Sequence, residues 1–251
     1  MRIAVLADVH GNLPALAAVL SHLEAQGGAE EIWVLGDLTV FCPYPLQVLE
    51  RLTALPRVRF LQGNTDRYLV TGERPRKIAD DEAQWEGMAT LLEERDGNFR
   101  WTFERLDYRW YAFLRDLPYL QRSDVADYGA ILGAHASFVS DELGVWAATT
   151  NGELRDLLGG IDARLLLCGH THHQLERSLG QTSVVNPGSV GLPLDGDQRA
   201  AYAILDLEGG DCQVALHRVD YDVDEVIARL EEVGHPAGKW VGTRLHLAAH
   251  P

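Results

Sequence analysis

Residues 1–12 read MRIAVLADVHGN, and the organisation of the rest of the chain follows from this stretch. An apolar run from Ile3 to Ala7 ends abruptly at Asp8, and His10 and a glycine come next. A short apolar run that is closed by polar residues and glycine is typical of a buried strand. Because side chains alternate along an extended backbone, Asp8 and His10 should point to the same side of the strand end. The chain therefore begins with a strand that presents two groups able to bind a metal ion.

Strands and helices alternate after this opening. The pattern predicts a helix over 13–26 with Asn12 as its N-cap, a strand over 31–35, a helix over 45–55 and a strand over 58–61. Further strands are predicted over 128–133, 163–168 and 182–185, then an antiparallel pair over 201–207 and 212–219, and an amphipathic helix from Val223 to Leu230. Such alternation is typical of an α/β core with parallel strands.

The segment 68–117 differs in character, because it is rich in charged and aromatic residues. Its helical periodicity predicts two or three helices with a break at Gly97, inserted into a single domain that spans 1–251. One stripe contains Trp85 and Leu91, and another contains Trp110 and Leu114. Two interpretations stay open: a helical layer that buries these stripes, or a cap that shapes a substrate pocket or a dimer interface.

Composition excludes several classes of partner. The 251 residues include 22 Lys and Arg against 37 Asp and Glu, which gives a formal net charge of −15. An acidic protein repels nucleic acid and anionic membrane surfaces, so neither is expected as a partner. The three cysteines are far apart and form no CxxC pair, no signal peptide is recognisable, and no apolar run is long enough to span a bilayer. These features predict a soluble cytoplasmic protein, and they do not exclude a small anionic substrate.

Five apolar runs end in polar residues that can bind metal ions. These residues are Asp8 with His10, Asp37, Asn64, His135, and His170 with His172. In open α/β sheets ligands gather at the carboxyl ends of strands, so the seven side chains should converge in one cleft. Carboxylates, an amide oxygen and imidazoles together suit Mn, Fe, Co or Zn better than Ca. Seven ligands are enough for two ions that share a carboxylate.

The order of these motifs resembles that of the calcineurin-like metallophosphoesterase superfamily. The matching pieces, over about residues 1–207, are Asp8-x-His10, Gly36-Asp37, Gly63-Asn64-x-Asp66, His135 and Gly169-His170-x-His172. The segment Asn186-Pro187-Gly188-Ser189 further resembles the small bacterial and archaeal phosphodiesterase-like branch. The resemblance implies a four-layer α/β/β/α sandwich of two mixed sheets with flanking helices and a dinuclear metal centre.

The resemblance also implies a role for each residue. The first ion would be bound by Asp8, His10 and His172, the second by Asn64, His135 and His170, and Asp37 would bridge them. The ions would be divalent Mn, Fe, Ni, Co or Zn, and two ions about 4 Å apart can bind a phosphoryl group and turn a bridging water into the attacking hydroxide. Asn64, His135 and Asp66 are the expected catalytic residues, with Asp66 orienting a ligand histidine through a hydrogen bond.

One position departs from the superfamily pattern. Many members have histidine after the asparagine of the third motif, where it acts on the phosphate or the leaving group, whereas this chain has Thr65. Threonine has no useful proton near neutral pH, and loss of general-acid assistance typically costs about 10²–10⁴-fold in rate. We therefore expect a small phosphodiester substrate, a nucleotide or cyclic nucleotide among the candidates. One alternative is a phosphomonoesterase or protein-phosphatase-like hydrolase, and another is a metal-binding regulatory protein with little turnover. The sequence also leaves open whether the chain forms a homo-oligomer.

Overall fold

The computed structural model describes residues 1–75, 79 and 81–249. Residues 76–78 and 80, which belong to the predicted helical insertion, lie outside the described residues. The strands are β1 (Arg2–Leu6), β2 (Glu31–Val34), β3 (Val58–Phe60), β4 (Leu120–Val125), β5 (Gly129–Ala134), β6 (Leu165–Leu167), β7 (Gln174–Leu179), β8 (Thr182–Pro187), β9 (Ala200–Glu208) and β10 (Asp211–Val219). The helices are α1 (Leu13–Ala25), α2 (Pro45–Thr53), α3 (Asn64–Thr71), α4 (Glu82–Phe103), α5 (Tyr108–Arg115), α6 (Asn151–Leu158), α7 (Val223–Glu232) and α8 (Gly238–Leu247).

The strands form two mixed five-stranded sheets. The first has the order β10-β9-β1-β2-β3, in which β1, β2 and β3 are parallel and β9 and β10 antiparallel. The second has the order β4-β5-β6-β8-β7, in which β5, β6 and β8 are parallel and both edge strands antiparallel. The predicted α/β class with two mixed sheets is confirmed, and so is the antiparallel pair β9–β10.

The two sheets pack face to face, and β1 shows how. Ile3 and Val5 pack in one apolar cluster with Leu165 of the second sheet, whereas Leu6 packs on the opposite face with residues such as Leu16 of α1. Both faces of β1 are therefore buried, which explains its uninterrupted apolar sequence.

Helices cover the outer faces of both sheets. Leu16 of α1, Leu49 of α2 and Leu114 of α5 belong to the cluster on the first sheet, and Leu154 of α6 belongs to the cluster on the second. Asn12 caps α1 as predicted, because its Oδ1 accepts a hydrogen bond from the backbone N–H of Ala15 at 3.2 Å. None of the helices in the described part of the chain combines the length and apolar composition that a bilayer crossing requires.

The segment 68–117 corrects two sequence predictions. Helix α4 runs through Gly97 without a break, and a Cβ built on Gly97 would lie 3.1 Å from the Cβ of Pro236. That glycine allows close packing between α4 and the segment before α8; it does not end the helix. The stripe that begins at Trp85 is not buried, since Trp85 is 70% exposed and Leu91 is also exposed, whereas Trp110 of α5 is buried as expected.

Candidate metal centre

The structure brings all seven predicted ligands together between the carboxyl ends of the two sheets. The first sheet supplies Asp8 and His10 after β1, Asp37 after β2 and Asn64 at the start of α3, and the second sheet supplies His135 after β5 and His170 with His172 after β6. Six are buried, and only His170 is partly exposed. The cluster is thus assembled from both sheets and enclosed by them.

One half of the cluster is formed by Asp8, His10 and His172. The Nε2 atoms of His10 and His172 lie 3.2 Å apart, and Nε2 of His172 lies 3.5 Å from Oδ1 of Asp8. The ligand atoms of these three buried residues are close enough to share a single ion. This is the set that the resemblance implies for the first ion.

The other half is formed by Asn64, His135 and His170. Oδ1 of Asn64 lies 2.9 Å from Nε2 of His135 and 3.0 Å from Nδ1 of His170. Asp37 lies between the halves: its Oδ2 is 3.6 Å from Nε2 of His10, and its Oδ1 is 3.6 Å from Nε2 of His135. The carboxylate of Asp37 therefore faces both halves, as a bridging ligand would.

Hydrogen bonds to backbone carbonyls fix three of the imidazoles. Nδ1 of His10 lies 3.0 Å from the carbonyl oxygen of Val40, and Nδ1 of His135 lies 2.8 Å from that of Leu35. Nδ1 of His172 makes the same kind of contact with the carbonyl oxygen of Leu192. A carbonyl only accepts, so each Nδ1 carries a proton, and wherever the ring is neutral Nε2 carries a lone pair.

The position of the proton on each ring indicates whether these residues fit a metal ion. In the neutral rings, the Nε2 lone pairs of His10 and His172 face each other at 3.2 Å without a hydrogen between them. Nε2 of His135 faces the amide oxygen of Asn64, which is itself an acceptor. Opposed lone pairs repel unless a cation lies between them, so the donor set fits divalent ions bound through Nε2.

Burial keeps the imidazoles of His10, His170 and His172 in the neutral form that binds metal ions. It is the main cause that lowers the pKa of His10 and His170 to about 4 and that of His172 well below its ordinary value. All three rings are then neutral at neutral pH, which is the form that binds metals. Burial, reinforced by the negative charge of Asp37, raises the pKa of Asp8. A bound cation would stabilise the ionised carboxylate of Asp8 and so lower this pKa again.

Five of the seven ligands have left-handed backbone conformations. The φ angles are 55° at Asp8, 51° at His10, 55° at Asp37, 68° at His170 and 58° at His172. Asp8 and His10 therefore face the cluster because the chain turns sharply after β1, and the expectation of alternation along an extended strand was wrong. Non-glycine residues rarely adopt this conformation, and its recurrence here is typical of a functional site.

Asp66 has a different role from the one predicted. Its Oδ2 accepts backbone N–H groups from Asp37 at 2.8 Å and Gly63 at 3.0 Å, and its Oδ1 accepts that of Leu38 at 3.0 Å. Asp66 thus orients the loop of Asp37, and none of its hydrogen bonds within the described residues involves a histidine. Burial and then the charge of Asp37 raise the pKa of Asp66 to about 7, although the three N–H donors favour its charged form.

Two motif glycines let neighbouring loops approach the carboxylates. A Cβ on Gly63 would lie 2.1 Å from Oδ1 of Asp37, and a Cβ on Gly169 would lie 2.7 Å from Oδ2 of Asp8. Any side chain at these positions would displace a ligand. Sequence reasoning recorded both glycines within motifs without assigning them this role.

Thr65 lies within the cluster, but its hydroxyl is not used. Its backbone N–H donates to Oδ1 of Asp37 at 2.9 Å, whereas its Oγ1 is buried and has no hydrogen-bond partner among the described residues. The sequence analysis missed the supporting role of Ser189, whose Oγ donates to the carbonyl of Asp8 and accepts from the backbone N–H of Leu192, both at 2.8 Å. Ser189 thereby ties the Asp8 loop to the loop that orients His172.

Comparison with known proteins identifies related chains. Residues 1–210 match the family model of the calcineurin-like phosphoesterase superfamily domain. An uncharacterized protein of Methanocaldococcus jannaschii is 28% identical over 260 residues, which cover 98% of this chain and 97% of that protein.

Solved structures agree in fold. A metallophosphoesterase from Sphaerobacter thermophilus superimposes with a TM-score of 0.76 at 28% identity, covering 99% of each chain. A hypothetical protein from Pyrococcus horikoshii gives a TM-score of 0.82 over 100% of this chain and 99% of its own, and at 24% identity this similarity concerns the fold alone.

Proposed function

The chain belongs to the calcineurin-like phosphoesterase superfamily, and from that premise we propose that it hydrolyses phosphodiesters at a site that binds two divalent ions. The single observation that carries the proposal is the position of Asp37. Its two carboxylate oxygens face two separate groups of ligands, one containing His10 and the other His135, each at 3.6 Å. Mn, Fe, Ni, Co and Zn all accept this ligand set, and a cytoplasmic location stays a prediction.

Bound divalent ions would supply Lewis acidity and an activated water to such a reaction. The contribution of the chain is to hold the ligands in a fixed arrangement. Backbone carbonyls orient His10, His135 and His172, and Asp66 together with the N–H of Thr65 fixes Asp37. These contacts with groups outside the ligand set fix the direction in which each ligand atom points.

The preference for diesters rests on Thr65. A phosphomonoester with a poor leaving group benefits from a proton donor beside the phosphate, and the Thr65 hydroxyl, buried and with a very high pKa as an alcohol, supplies none. A diester whose leaving group is weakly basic needs that assistance less. The residue at the motif position therefore favours a diester with a weakly basic leaving group over a monoester with a poor one.

The test compares bis-p-nitrophenyl phosphate with p-nitrophenyl phosphate. Metal-free protein is reconstituted separately with Mn, Ni, Fe(II), Co, Zn and Mg, and both rates are measured for each ion. We expect metal-dependent cleavage of the diester and little cleavage of the monoester. His172→Ala should abolish activity, whereas His173→Ala should retain it, because His173 packs against Trp146 and belongs to neither group of ligands.

Two results would reject the proposal. Faster turnover of the monoester would identify a phosphomonoesterase in which the ions alone suffice. No turnover of either compound, with metal shown to be bound, would identify a metal-binding regulatory protein.

A further inference from the structure

A cleft of about 400 Å³ adjoins the metal centre at His135. Three segments form it: the first turns of α3, the start of β4 and the loop that follows β5. The antiparallel register pairs Leu120 with Ala134, which places the start of β4 directly beside His135. A larger groove, of about 810 Å³, lies between α7 and α8 and is lined by none of the seven candidate ligands. The cleft at His135 is therefore placed to receive part of a substrate bound at the candidate metal centre.

The walls of this cleft expose large apolar side chains. Tyr119 is 54% exposed, Val139 is 51% exposed and Leu120 is 40% exposed, and the partly buried Phe138 lies beside them. Isolated exposed apolar residues are common on protein surfaces, but several around one cleft are typical of a binding site. A volume of this size is within the range of ligand pockets. The walls favour a flat or apolar group.

The charges at the rim of the cleft are already paired. The guanidinium of Arg67 donates to Asp141 and to Glu142, each at 2.6 Å, and it also binds Glu73. One positive and three negative charges leave this cluster with a net charge of −2. Arg67 is thus occupied and offers no free cation to a phosphate group. A ligand that brought further negative charge to this rim would be repelled.

We propose that this cleft is the subsite for the organic substituent of the phosphodiester, and that it selects an uncharged aromatic or apolar substituent. The inference rests on the proposed function, because it assumes that a phosphoryl group is bound next to His135. The apolar walls supply the attraction, and the acidic rim disfavours a substituent that carries another phosphate. The substrate class is therefore a monoanionic diester with at least one flat, uncharged substituent, such as a nucleoside or an aryl group.

Binding of poorly cleaved diesters tests the subsite separately from turnover. Diphenyl phosphate and dimethyl phosphate carry the same charge and differ only in the substituent. We expect metal-loaded protein to bind diphenyl phosphate about 10-fold more tightly, measured by calorimetry, since burying one aromatic ring accounts for that factor. Tyr119→Ala should reduce the preference severalfold. Trp85→Ala, which removes an exposed aromatic ring from α4 away from the cleft, should leave it unchanged.

The acidic rim is tested with bis(4-carboxyphenyl) phosphate, whose two substituents each carry a negative charge at pH 8. Glu142→Gln removes one negative charge from the rim, so the affinity of this variant for the charged diester should rise about threefold relative to its affinity for diphenyl phosphate. Equal binding of diphenyl and dimethyl phosphate by the wild type would overturn the subsite, and so would a preference that survives Tyr119→Ala. A retained binding preference without turnover of any diester would support the subsite and reject the proposed enzymatic function instead.

Discussion

At the scale of single residues, the candidate metal centre depends on backbone conformations that most side chains avoid. Five ligands have φ between 51° and 68°, and each such residue costs roughly 1–2 kcal/mol relative to a right-handed conformation. Strain of this kind persists only where the surrounding structure imposes it. Here the hydrogen bonds of Asp66 and Ser189 hold the loops of Asp37 and Asp8 in place.

Gly63→Ala tests how closely these loops must approach. The new Cβ would lie 2.1 Å from Oδ1 of Asp37 and 2.3 Å from its backbone nitrogen, so the bridging carboxylate has to move. We expect metal affinity to fall by about 10–100-fold, as for other changes to groups that orient a ligand, with the circular dichroism spectrum unchanged. Gly87→Ala is the control, since a Cβ there meets no atom within 4 Å. Calorimetric titration that found equal affinities in both variants would contradict the close approach.

The buried imidazoles predict how the stability of the metal-free protein varies with pH. Burial lowers the pKa of His10 from 6.5 to about 4, so between these values the unfolded chain binds more protons than the folded protein. The free energy of unfolding therefore falls as the pH drops through this window. His10→Asn lacks this titrating group. Between pH 6.5 and 4.5, the free energy of unfolding of the wild type should therefore decrease by about 1–2 kcal/mol more than that of the variant. Urea denaturation at both pH values measures this, and parallel pH dependences would show that His10 is not held neutral.

At the scale of secondary-structure elements, the C-terminal helices support the half of the candidate metal centre that contains His10 and His172. The ring of Phe41 lies 4.9 Å from that of His10 and 5.3 Å from that of Trp240 on α8. Cys42 and Leu192, from the loops next to His10 and His172, share an apolar cluster with α7 and α8. These helices follow residue 210, where the match to the family model ends.

The variant Phe41→Gly tests the role of the Phe41 ring independently of the backbone conformation at this position. Phe41 has a φ of 100°, which glycine adopts without strain, so the variant keeps the loop conformation accessible and loses only the ring. We expect the ion at His10 to bind about 10-fold more weakly while the other is unaffected, since the ring of Phe41 packs against that of His10. Phe113→Ala, in which a ring packed against Phe60 and Trp110 is removed, serves as the control. A two-site titration with both affinities unchanged in Phe41→Gly would exclude this role.

The sequence predicted the central strands of both sheets, and also the edge strands β3 and β10 of the first sheet. Strands such as β1 and β6 are continuous apolar runs because sheets or helices cover each side. The missed strands β4 and β7 are the two edges of the second sheet, and their sequences LQRSDV and QLERSL alternate in exposure and carry charge, as edge strands do. Helix α8 was missed because Gly238 and Gly242 weaken its helical pattern; both face α7 and allow close packing.

Sequence reasoning named the seven ligands because their order along the chain forms a pattern. It did not give the left-handed turns, the partners of Asp66 or the position of Phe41. Each of these depends on contacts between segments far apart in the sequence, as between Asp66 and Asp37 or between Phe41 and Trp240. Local pattern carries no information on such contacts, and they appear only in the folded chain.

At the scale of the whole molecule, the net charge of −15 opposes the approach of an anionic substrate. Salt screens this repulsion beyond the Debye length, which shortens from about 30 Å at 0.01 M to about 8 Å at 0.15 M ionic strength. We therefore expect kcat/KM for bis-p-nitrophenyl phosphate to rise between these ionic strengths, with kcat unchanged. A basic, nucleic-acid-binding enzyme would show the reverse trend. A decrease with added salt would mean that the metal centre, and not the net charge, controls the approach.

Self-association of the chain stays a prediction at this scale. Trp85 and Leu91 on α4 are exposed, which agrees with the interpretation of segment 68–117 as an interface more than with that of a buried layer. Sedimentation of the wild type and Trp85→Ala would establish whether the exposed stripe is used.

The central claim is that the seven ligands bind two ions bridged by Asp37, and counting the ions tests it most directly. Protein loaded with Mn would be crystallised, and anomalous scattering would locate and count the ions. The account predicts two peaks, one among Asp8, His10 and His172 and the other among Asn64, His135 and His170, and fewer than two in Asp37→Ala. A single peak in the wild type, or two peaks that persist at full occupancy without Asp37, would contradict it.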